Sequence, residues 1–552
     1  MLDLLKNTFI NLLYVNNFIV VYFKFLILYI FLYLLGKSLL IITSKLSKIN
    51  LNNKLKIQNI EVSAFYPLLG LFFMGNILVV WNFIFPINKY AFIPLFLIII
   101  LGLKNLDYKD IIRKLLRFTP VYLILLISSY DMNFHYDAGL YHLLNQAWLR
   151  ESNIVLGFSN IYGPLGVSSI YEYILSFFWF DTTYIYLHLV SLIFVVVFYE
   201  FIYICMFISK DKLLQNVGFA VLIFSILDNF GYGGGRNGFI YIQGISKQDT
   251  AIAITVFLIS VVILKSILES QYEQLDLIIV LYLSLFVFQL KVSGIVIVVL
   301  LVFYIARFVS KKYFLKTALV LPMLLFGIWL LKSILQTGCF IFPLAKSCIK
   351  NLSWVDVNYI KTVENVSVEY SFSYYFNENF LIWFNQYLDI GINRNVLLNY
   401  AISIFIIFLL FLKRNAQTSN LYNNSIILIY FLLSLFFYIR FGPDIRYLMN
   451  VFLLGVISVG FLKRPTFKIS KNFMLLFFIC SLISFVRLNS YKNFDFFDHP
   501  NYSIENPNLV EFDDRYIPSE SDQCWDDVNC SASYYSYKIV SKKYFKIVEI
   551  DN

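Results

Sequence analysis

The feature that most constrains this chain is an apolar run, about as long as a bilayer is thick, that recurs along most of its length. A helix crossing the hydrocarbon core needs about 20 predominantly apolar residues. Such runs lie near 18–43, 64–84, 86–103, 116–130, 183–208, 215–229 and 250–268, then near 275–290, 292–309, 317–336, 396–412, 424–440, 448–462 and 472–487. About fourteen spans are therefore expected, and residues 2–17 form either an interfacial helix or one more. Composition agrees, since 59% of the 552 residues are apolar and only 14% are charged. An average soluble domain carries about 25% charged residues, so a soluble enzyme of this length would lack the polar material to cover its surface. The fold class expected is an all-α polytopic membrane protein.

Orientation follows from Lys and Arg in the short loops. One set of loops carries Lys45, Lys48, Lys54 and Lys56, then Lys104, Lys109, Arg113, Lys114 and Arg117. Further along come Lys210 and Lys212, Arg307, Lys311, Lys312 and Lys316, Lys413 and Arg414, and Lys463, Arg464, Lys468 and Lys471. These clusters alternate with the apolar runs and are read as cytoplasmic; the loop near Glu269 and Glu273 is acidic and adds no support. The chain then divides into N-terminal spans (1–130), a first long outer loop (131–182), central spans (183–336), an outer loop (337–395), C-terminal spans (396–487) and an outer tail (488–552). A further outer connection covers 230–249. No basic n-region with a small-residue cleavage site opens the chain, so no cleavable signal is expected.

Several function classes are excluded. The net charge of +10 is spread over loops rather than gathered on one face, which argues against a nucleic-acid partner. The 58 Phe and 41 Tyr accompany high Ile, Asn and Lys and read as coding bias, not as stacking platforms. No GxxxxGK[ST] phosphate loop occurs and the inner loops are short, which argues against an ATP-driven pump. Cys339 and Cys348 share one outer loop, and Cys524 and Cys530 share the tail. Two close pairs in an oxidising compartment predict two local disulfides, while Cys205 and Cys480 fall inside spans and should stay free thiols.

The stretch richest in chemistry is Asp131-Met-Asn-Phe-His-Tyr-Asp-Ala-Gly-Leu-Tyr-His142, with two acids and two histidines. From Ala138 the spacing is helical, with Leu140, Leu143, Leu144, Ala147 and Trp148 on one face and Tyr141, His142, Asn145 and Gln146 on the other. This predicts an amphipathic helix on the bilayer surface with Asp137 at its start. Asp137 then serves either as a general base for an acceptor hydroxyl or simply as a helix cap. His142 is read either as a proton-transfer or metal-ligating group or as an ordinary surface histidine, and His135 calls for the same caution. The glycines of Gly157–Gly166 predict tight turns. Lys291, between two apolar runs, either meets an anion or snorkels to the interface. Arg446 either binds phosphate or pairs with Asp444. Arg236 follows Gly-Tyr-Gly-Gly-Gly, which shapes either an anion site or a flexible loop, and Asp249 reads as a first-turn acid. Of the charges in or near spans, Lys24, Lys37, Glu200, Lys265 and Lys332, most are expected to snorkel.

The run YDAGLYHLLNQAWL, followed by NIVLGFSNIYGPLG, resembles the signature of a large family of bacterial polytopic membrane proteins related to GT-C-type glycosyltransferases. Looser matches are Thr337-Gly-Cys-Phe-Ile-Phe-Pro343, Phe441-Gly-Pro-Asp-Ile-Arg-Tyr447 and Gln523-Cys-Trp-Asp-Asp-Val-Asn-Cys530. The resemblance implies a GT-C architecture in the bacterial cytoplasmic membrane and transfer of a sugar from a polyprenyl-phosphate carrier to a cell-surface glycan or lipid acceptor. It places a catalytic acid in the first long outer loop, here Asp137 with Asp131 as the alternative. Lys291, Arg446 and Arg236 would meet the donor phosphate. Some such enzymes use Mg or Mn, but no adjacent acid pair stands here. Two other readings are an O-antigen polymerase or ligase and a flippase for lipid-linked oligosaccharides. The early position of the acid and the absence of repeated halves favour the transferase.

Overall fold

The computed structural model describes residues 17–48, 56–104, 106–180, 183–231, 241–242, 244–369, 380–415, 421–441, 446–462, 470–504, 507–512, 515–519, 522–532, 537–542 and 544–550. The fold is mostly helical. The first helices are α1 (Phe18–Ser47), α2 (Tyr66–Asn82), α3 (Phe92–Leu103) and α4 (Tyr108–Leu126). Two short ones, α5 (Leu143–Glu151) and α6 (Ile170–Phe177), lie in the first long loop. The centre is built from α7 (Ile185–Tyr203), α8 (Lys212–Asn229), α9 (Asp249–Glu269), α10 (Gln274–Leu290), α11 (Ile297–Ala306) and α12 (Lys312–Thr337). Then follow α13 (Val357–Glu369), α14 (Phe380–Asp389), α15 (Gly391–Asn415), α16 (Leu421–Phe441), α17 (Arg446–Leu462), α18 (Lys471–Phe485) and α19 (Leu488–Lys492). Three antiparallel hairpins complete the described chain: β1–β2 (Lys56–Ile57, Ile60–Glu61), β3–β4 (Leu509–Phe512, Arg515–Pro518) and β5–β6 (Tyr537–Ser541, Lys546–Ile550).

A helix occupies each of the apolar runs. Among the described residues four helices are long and apolar enough to cross a membrane: Phe18–Ser47, Ile185–Ile208, Asp249–Glu269 and Lys312–Thr337. A fifth is added if Lys89–Leu103 and Tyr108–Asp131, bent at 106°, make one broken span. The chain is thus a mostly helical protein with four or five helices fit by length and composition to cross a membrane. Residues 1–16, with the question of an extra span there, lie outside the described residues.

Local chemistry sets where these helices begin and how they meet. Asn17 caps α1 by accepting from Val20 N at 2.9 Å, and Asp107 caps α4 by accepting from the N–H groups of Lys109 and Asp110. At the crossing of α1 and α2 a Cβ on Gly36 would stand 2.0 Å from the Tyr66 carbonyl, and one on Gly70 would stand 1.9 Å from that of Leu32. The two backbones touch because neither glycine has a side chain, the small-residue packing usual between membrane helices. In the bundle α7 and α9 are almost wholly surrounded by protein.

Most of the charges in these helices do not snorkel as expected, although Lys37 stays half-buried and reaches the Lys104 carbonyl at an exposed position. Glu200 is fully buried and accepts from Tyr29 Oη at 2.8 Å and Tyr122 Oη at 2.5 Å, with Lys114 Nζ at 2.9 Å. Lys265, also fully buried, pairs with Asp211 and with Glu269 at 2.5 Å. Lys332 is buried over the Trp329 ring at 4.3 Å and donates to the Ser168 carbonyl at 3.4 Å. Partners from their own helix, from other helices and from the connecting segments are what make these burials tolerable, since an unpaired charge in hydrocarbon is costly.

The helical bundle has two polar ends. Helix α9 runs from Asp249 at one end to the Lys265 cluster at the other, about 30 Å at 1.5 Å per residue. At the Asp249 end, segments from 131–182, 337–369 and 488–550 pack into one layer. Leu156 exchanges backbone hydrogen bonds with Lys546 and Val548 at 2.9 and 2.8 Å, which docks β6 on the first loop. Asn160 Nδ2 donates to the carbonyls of Val548 and Trp354, both at 2.8 Å. Two disulfides brace this layer, Cys339–Cys348 and Cys524–Cys530, and Cys205 and Cys480 are free. The Cys524–Cys530 link sits in an apolar cluster with Leu144, Trp148 and Phe158 of the first loop.

Candidate functional site

Polar side chains from three stretches of sequence converge at the head of α9. The turn Gly244-Ile-Ser-Lys-Gln-Asp249 lies at their centre, pinned to the first loop by Ile245 N donating to Asn133 O at 2.9 Å. Gly244 has φ +146°, and a Cβ there would stand 2.7 Å from His135 N. A side chain at this position would therefore push the two stretches apart.

Lys247, the middle residue of the turn, forms an ion pair with Asp137 Oδ2, to which His135 Nδ1 also stands at 3.6 Å. Lys247 is 6% and Asp137 24% exposed, so the pair sits at the margin of the protein rather than in its core. Burial pushes the Asp137 carboxyl up, but Lys247 and, less strongly, His135 and His142 outweigh it and hold the group below its ordinary value. Asp137 is thus ionised at neutral pH. Both contacts use Oδ2, which leaves Oδ1 for an incoming hydroxyl.

Next to Lys247 in the chain, Gln248 donates to Glu172 Oε1 at 3.3 Å, and Asp249 Oδ1 pairs with Lys291 Nζ at 2.8 Å. Asp249 is indeed the first residue of its helix, and it also anchors the cation nominated from sequence. Lys291 ends α10, whose last carbonyl, Leu290 O, accepts from Ser169 Oγ at 2.7 Å. Ser169 in turn caps α6, which carries Glu172.

Glu172 is buried and accepts from Gln146 Nε2 at 2.7 Å and faces His142 Nδ1 at 2.5 Å. Gln146 also donates to Ser246 Oγ at 2.9 Å and accepts from Trp179 Nε1 at 2.8 Å. The expected amphipathic helix is present in part: Ala138–His142 is a π-helical turn and α5 follows. Its polar face is not turned to water, however. His142, Asn145 and Gln146 are 2%, 1% and 0% exposed; for His142 and Gln146, α6 and the 244–249 turn supply the partners that solvent would have given. His142 is accordingly a buried group spent on Glu172, not a surface histidine.

Asp131 lies apart from this cluster and faces Arg487 Nη1 at 3.5 Å. Asp137 does not cap a helix through its side chain. Arg236 and the side chain of Arg446 lie outside the described residues, as does Asp444. Among the described residues no group of three or more His, Cys, Asp or Glu is placed to hold a metal ion. The two loop acids face Arg487 and Lys247 rather than each other, so this donor set does not fit Mg or Mn.

Sequence reading missed Lys247, Gln248 and Glu172. The first two had a signal, since Ser246-Lys-Gln-Asp-Thr250 is an unbroken polar run at the very edge of an apolar span. Glu172, alone among aromatic and apolar neighbours, had none. The C-terminal tail covers the cluster: Trp525 N donates to Gly139 O at 2.8 Å, the Trp525 ring meets Phe134 edge-on at 5.7 Å, and Tyr136 Oη donates to Asp522. That last hydrogen bond pushes the Tyr136 phenol up to about 12.

Compared with known proteins, residues 18–453 match the model of a family described as Domain of unknown function (DUF8201), and the chain belongs to that family. No curated protein and no solved structure matches it.

Proposed function

We propose that this DUF8201 member is a membrane glycosyltransferase of the GT-C type, acting at the outer face of a bacterial cytoplasmic membrane. All fourteen or so apolar helices would then cross or enter the bilayer, and the layer holding 131–182 would face outward, as the basic-loop pattern requires. The observation that carries the reading is the Asp137–Lys247 pair at the margin of the first long loop, two residues along the chain from the Asp249 that holds Lys291.

In this reading a sugar linked to polyprenyl phosphate meets a glycan or lipid acceptor at the bilayer surface. The acceptor oxygen attacks the anomeric carbon, a new C–O bond forms, and the bond from that carbon to the phosphate oxygen breaks. The acceptor's proton passes to Asp137 Oδ1, and the carrier leaves as polyprenyl phosphate. Lys247 and Lys291 supply fixed cations for the charge that gathers on the departing phosphate, with Arg446 and Arg236 as further candidates for that role. Glu172, His142 and Gln146 are positioning residues that fix the 244–249 turn against the first loop.

The test is a deletion strain complemented with wild type or Asp137→Asn, scored by surface glycan and lipid-linked intermediates. A lost general base should lower transfer by about 100-fold or more, with the unused donor accumulating. Wild-type glycan from a normally expressed variant would remove Asp137 from this role. Movement of a lipid-linked oligosaccharide across vesicles by the purified protein, with no sugar transfer, would favour a flippase instead. Formation of long polymer from single repeat units would favour a polymerase.

A further inference from the structure

A large cavity lies at the other end of the bundle, and the transferase reading does not use it. It measures about 410 Å³ and opens between α1, the β1–β2 hairpin and the bend from α3 into α4. That volume falls within the range of about 300–1,000 Å³ typical of ligand sites. Six basic side chains line it: Lys37, Lys56, Lys104, Arg113, Lys114 and Arg117. Only three acids do so, Glu61, Asp107 and Asp110.

The ion pairs already made leave the excess in place. Arg113 pairs with Asp110 at 2.9 Å, and Lys114 is held by Glu200 at 2.9 Å and by the Ser63 carbonyl at 3.1 Å. Asp107 spends one oxygen capping α4. Lys56, Lys104 and Arg117 form no ion pair among the described residues and are exposed. The cations form only part of the wall. Leu40, Ile41 and Phe118 line the same space, on helices whose outward faces are apolar. Lys37 enters from α1 some ten residues before the helix ends, about 15 Å along its axis. The cavity therefore joins a layer of charged loops to the side of a membrane-crossing helix. A free anion would use only the cations; a molecule with an anionic head and a hydrocarbon chain would use both walls.

We infer that this cavity binds the phosphate headgroup of an anionic membrane lipid. Basic pockets between helices at the membrane surface take such headgroups, and the Arg117 guanidinium matches phosphate oxygens in a way a single ammonium does not. The inference does not depend on the transferase reading, because it concerns the opposite end of the protein.

The experiment uses the purified full-length chain in neutral detergent and titrates dioctanoyl phosphatidic acid, dioctanoyl phosphatidylcholine and inorganic phosphate. Phosphatidic acid should bind, phosphatidylcholine should bind more weakly, and millimolar inorganic phosphate should not compete. The double variant Lys104→Gln/Arg117→Gln should weaken phosphatidic acid binding by about tenfold or more. Lys104→Arg/Arg117→Lys, which keeps the charges, should retain most of it and shows that the altered positions tolerate substitution. Lys312→Gln/Lys316→Gln removes two exposed cations outside the cavity lining and should change little. Equal loss in that control would reduce the effect to surface charge and overturn the site. Unchanged affinity in Lys104→Gln/Arg117→Gln, or full competition by inorganic phosphate, would overturn it as well.

Discussion

The Asp137–Lys247 pair can be tested by a double-mutant cycle with Lys247→Met, Asp137→Asn and the double variant. Removing one partner of a fully buried pair costs about 3–5 kcal/mol, chiefly because the survivor is left charged and desolvated. Here the two partners differ. Asp137 is 24% exposed and can rehydrate when Lys247 is lost, whereas Lys247 is only 6% exposed. Lys247→Met should therefore cost about 1.5–3 kcal/mol, the range for a hydrogen bond to a charged group. Asp137→Asn should lie at or above the upper part of that range. The double variant should lose less than the sum, with a coupling of about 1.5–3 kcal/mol. Unfolding of the full-length protein in mixed micelles, followed by circular dichroism at pH 7, gives all three numbers. The pH dependence supplies a second check. Asp137 is held below its ordinary value of 3.8 in the folded chain, so its contribution is complete above that value and is lost as pH falls through the lowered one. In Lys247→Met burial becomes the dominant influence and the carboxyl rises instead. The stability gap between wild type and Lys247→Met should accordingly begin to narrow as pH falls through the raised value of the variant, above 3.8, and go on narrowing as it falls through the lowered value of wild type. Additive losses within about 0.5 kcal/mol, or a gap that persists in acid, would refute the pairing.

Gly157 combines φ +69° with a hypothetical Cβ 2.4 Å from the Val548 carbonyl. Gly157→Ala should cost about 1–3 kcal/mol from backbone strain alone and should make the tail more sensitive to limited proteolysis; unchanged sensitivity would mean that β6 does not dock there. Opening the Cys524–Cys530 link with Cys524→Ser/Cys530→Ser should cost about 2 kcal/mol for a closure of six residues, seen as a lower melting temperature of the detergent-solubilised protein. Glu172→Gln keeps the shape but removes the charge that His142 and Gln146 meet, and should cost about 1.5–3 kcal/mol. If Glu172 only positions the turn, this variant should lower transfer while leaving the residual activity's response to pH unchanged. Gly70→Leu should abolish accumulation of folded protein, because no side chain fits 1.9 Å from a backbone carbonyl; normal yields on size exclusion would show that α1 and α2 cross elsewhere.

How much was legible depended on whether the physics was local. Helices were readable because each apolar run announces itself over some twenty residues, and both disulfides because each pair is close in sequence. Asp137 stood out as an acid at the start of a helix in a stretch rich in acids and histidines, and Lys291 as a charge between two apolar runs. Lys247, the partner of Asp137, did not, because it comes from a turn 110 residues further on; Asp249 was read only as a first-turn acid, with no sign that Lys291 would meet it, and Glu172 is one acid in an aromatic stretch. The same reason explains the error over the charges in the helices. A lone Glu200 or Lys265 in an apolar run looks as though it must reach for water, and only the packed helices show Tyr29, Tyr122, Lys114 and Asp211 arriving from elsewhere. The α5 polar face was misjudged likewise: its periodicity was correct, but periodicity cannot say whether the far side meets solvent or another polar surface.

The docking of β6 on the first loop has a consequence for the order of assembly. Asn160 and Val548 are 388 residues apart, and every helix of the bundle except α1–α5 is made between them. Residues 131–182 leave the ribosome early and cannot acquire these neighbours until β6 has followed them. A ribosome that stalls after α18 would leave a protein whose helices can insert but whose cluster stays uncovered, with the apolar surfaces of Trp148 and Phe158 open. Completion of the site is in this sense a report that synthesis has passed β6.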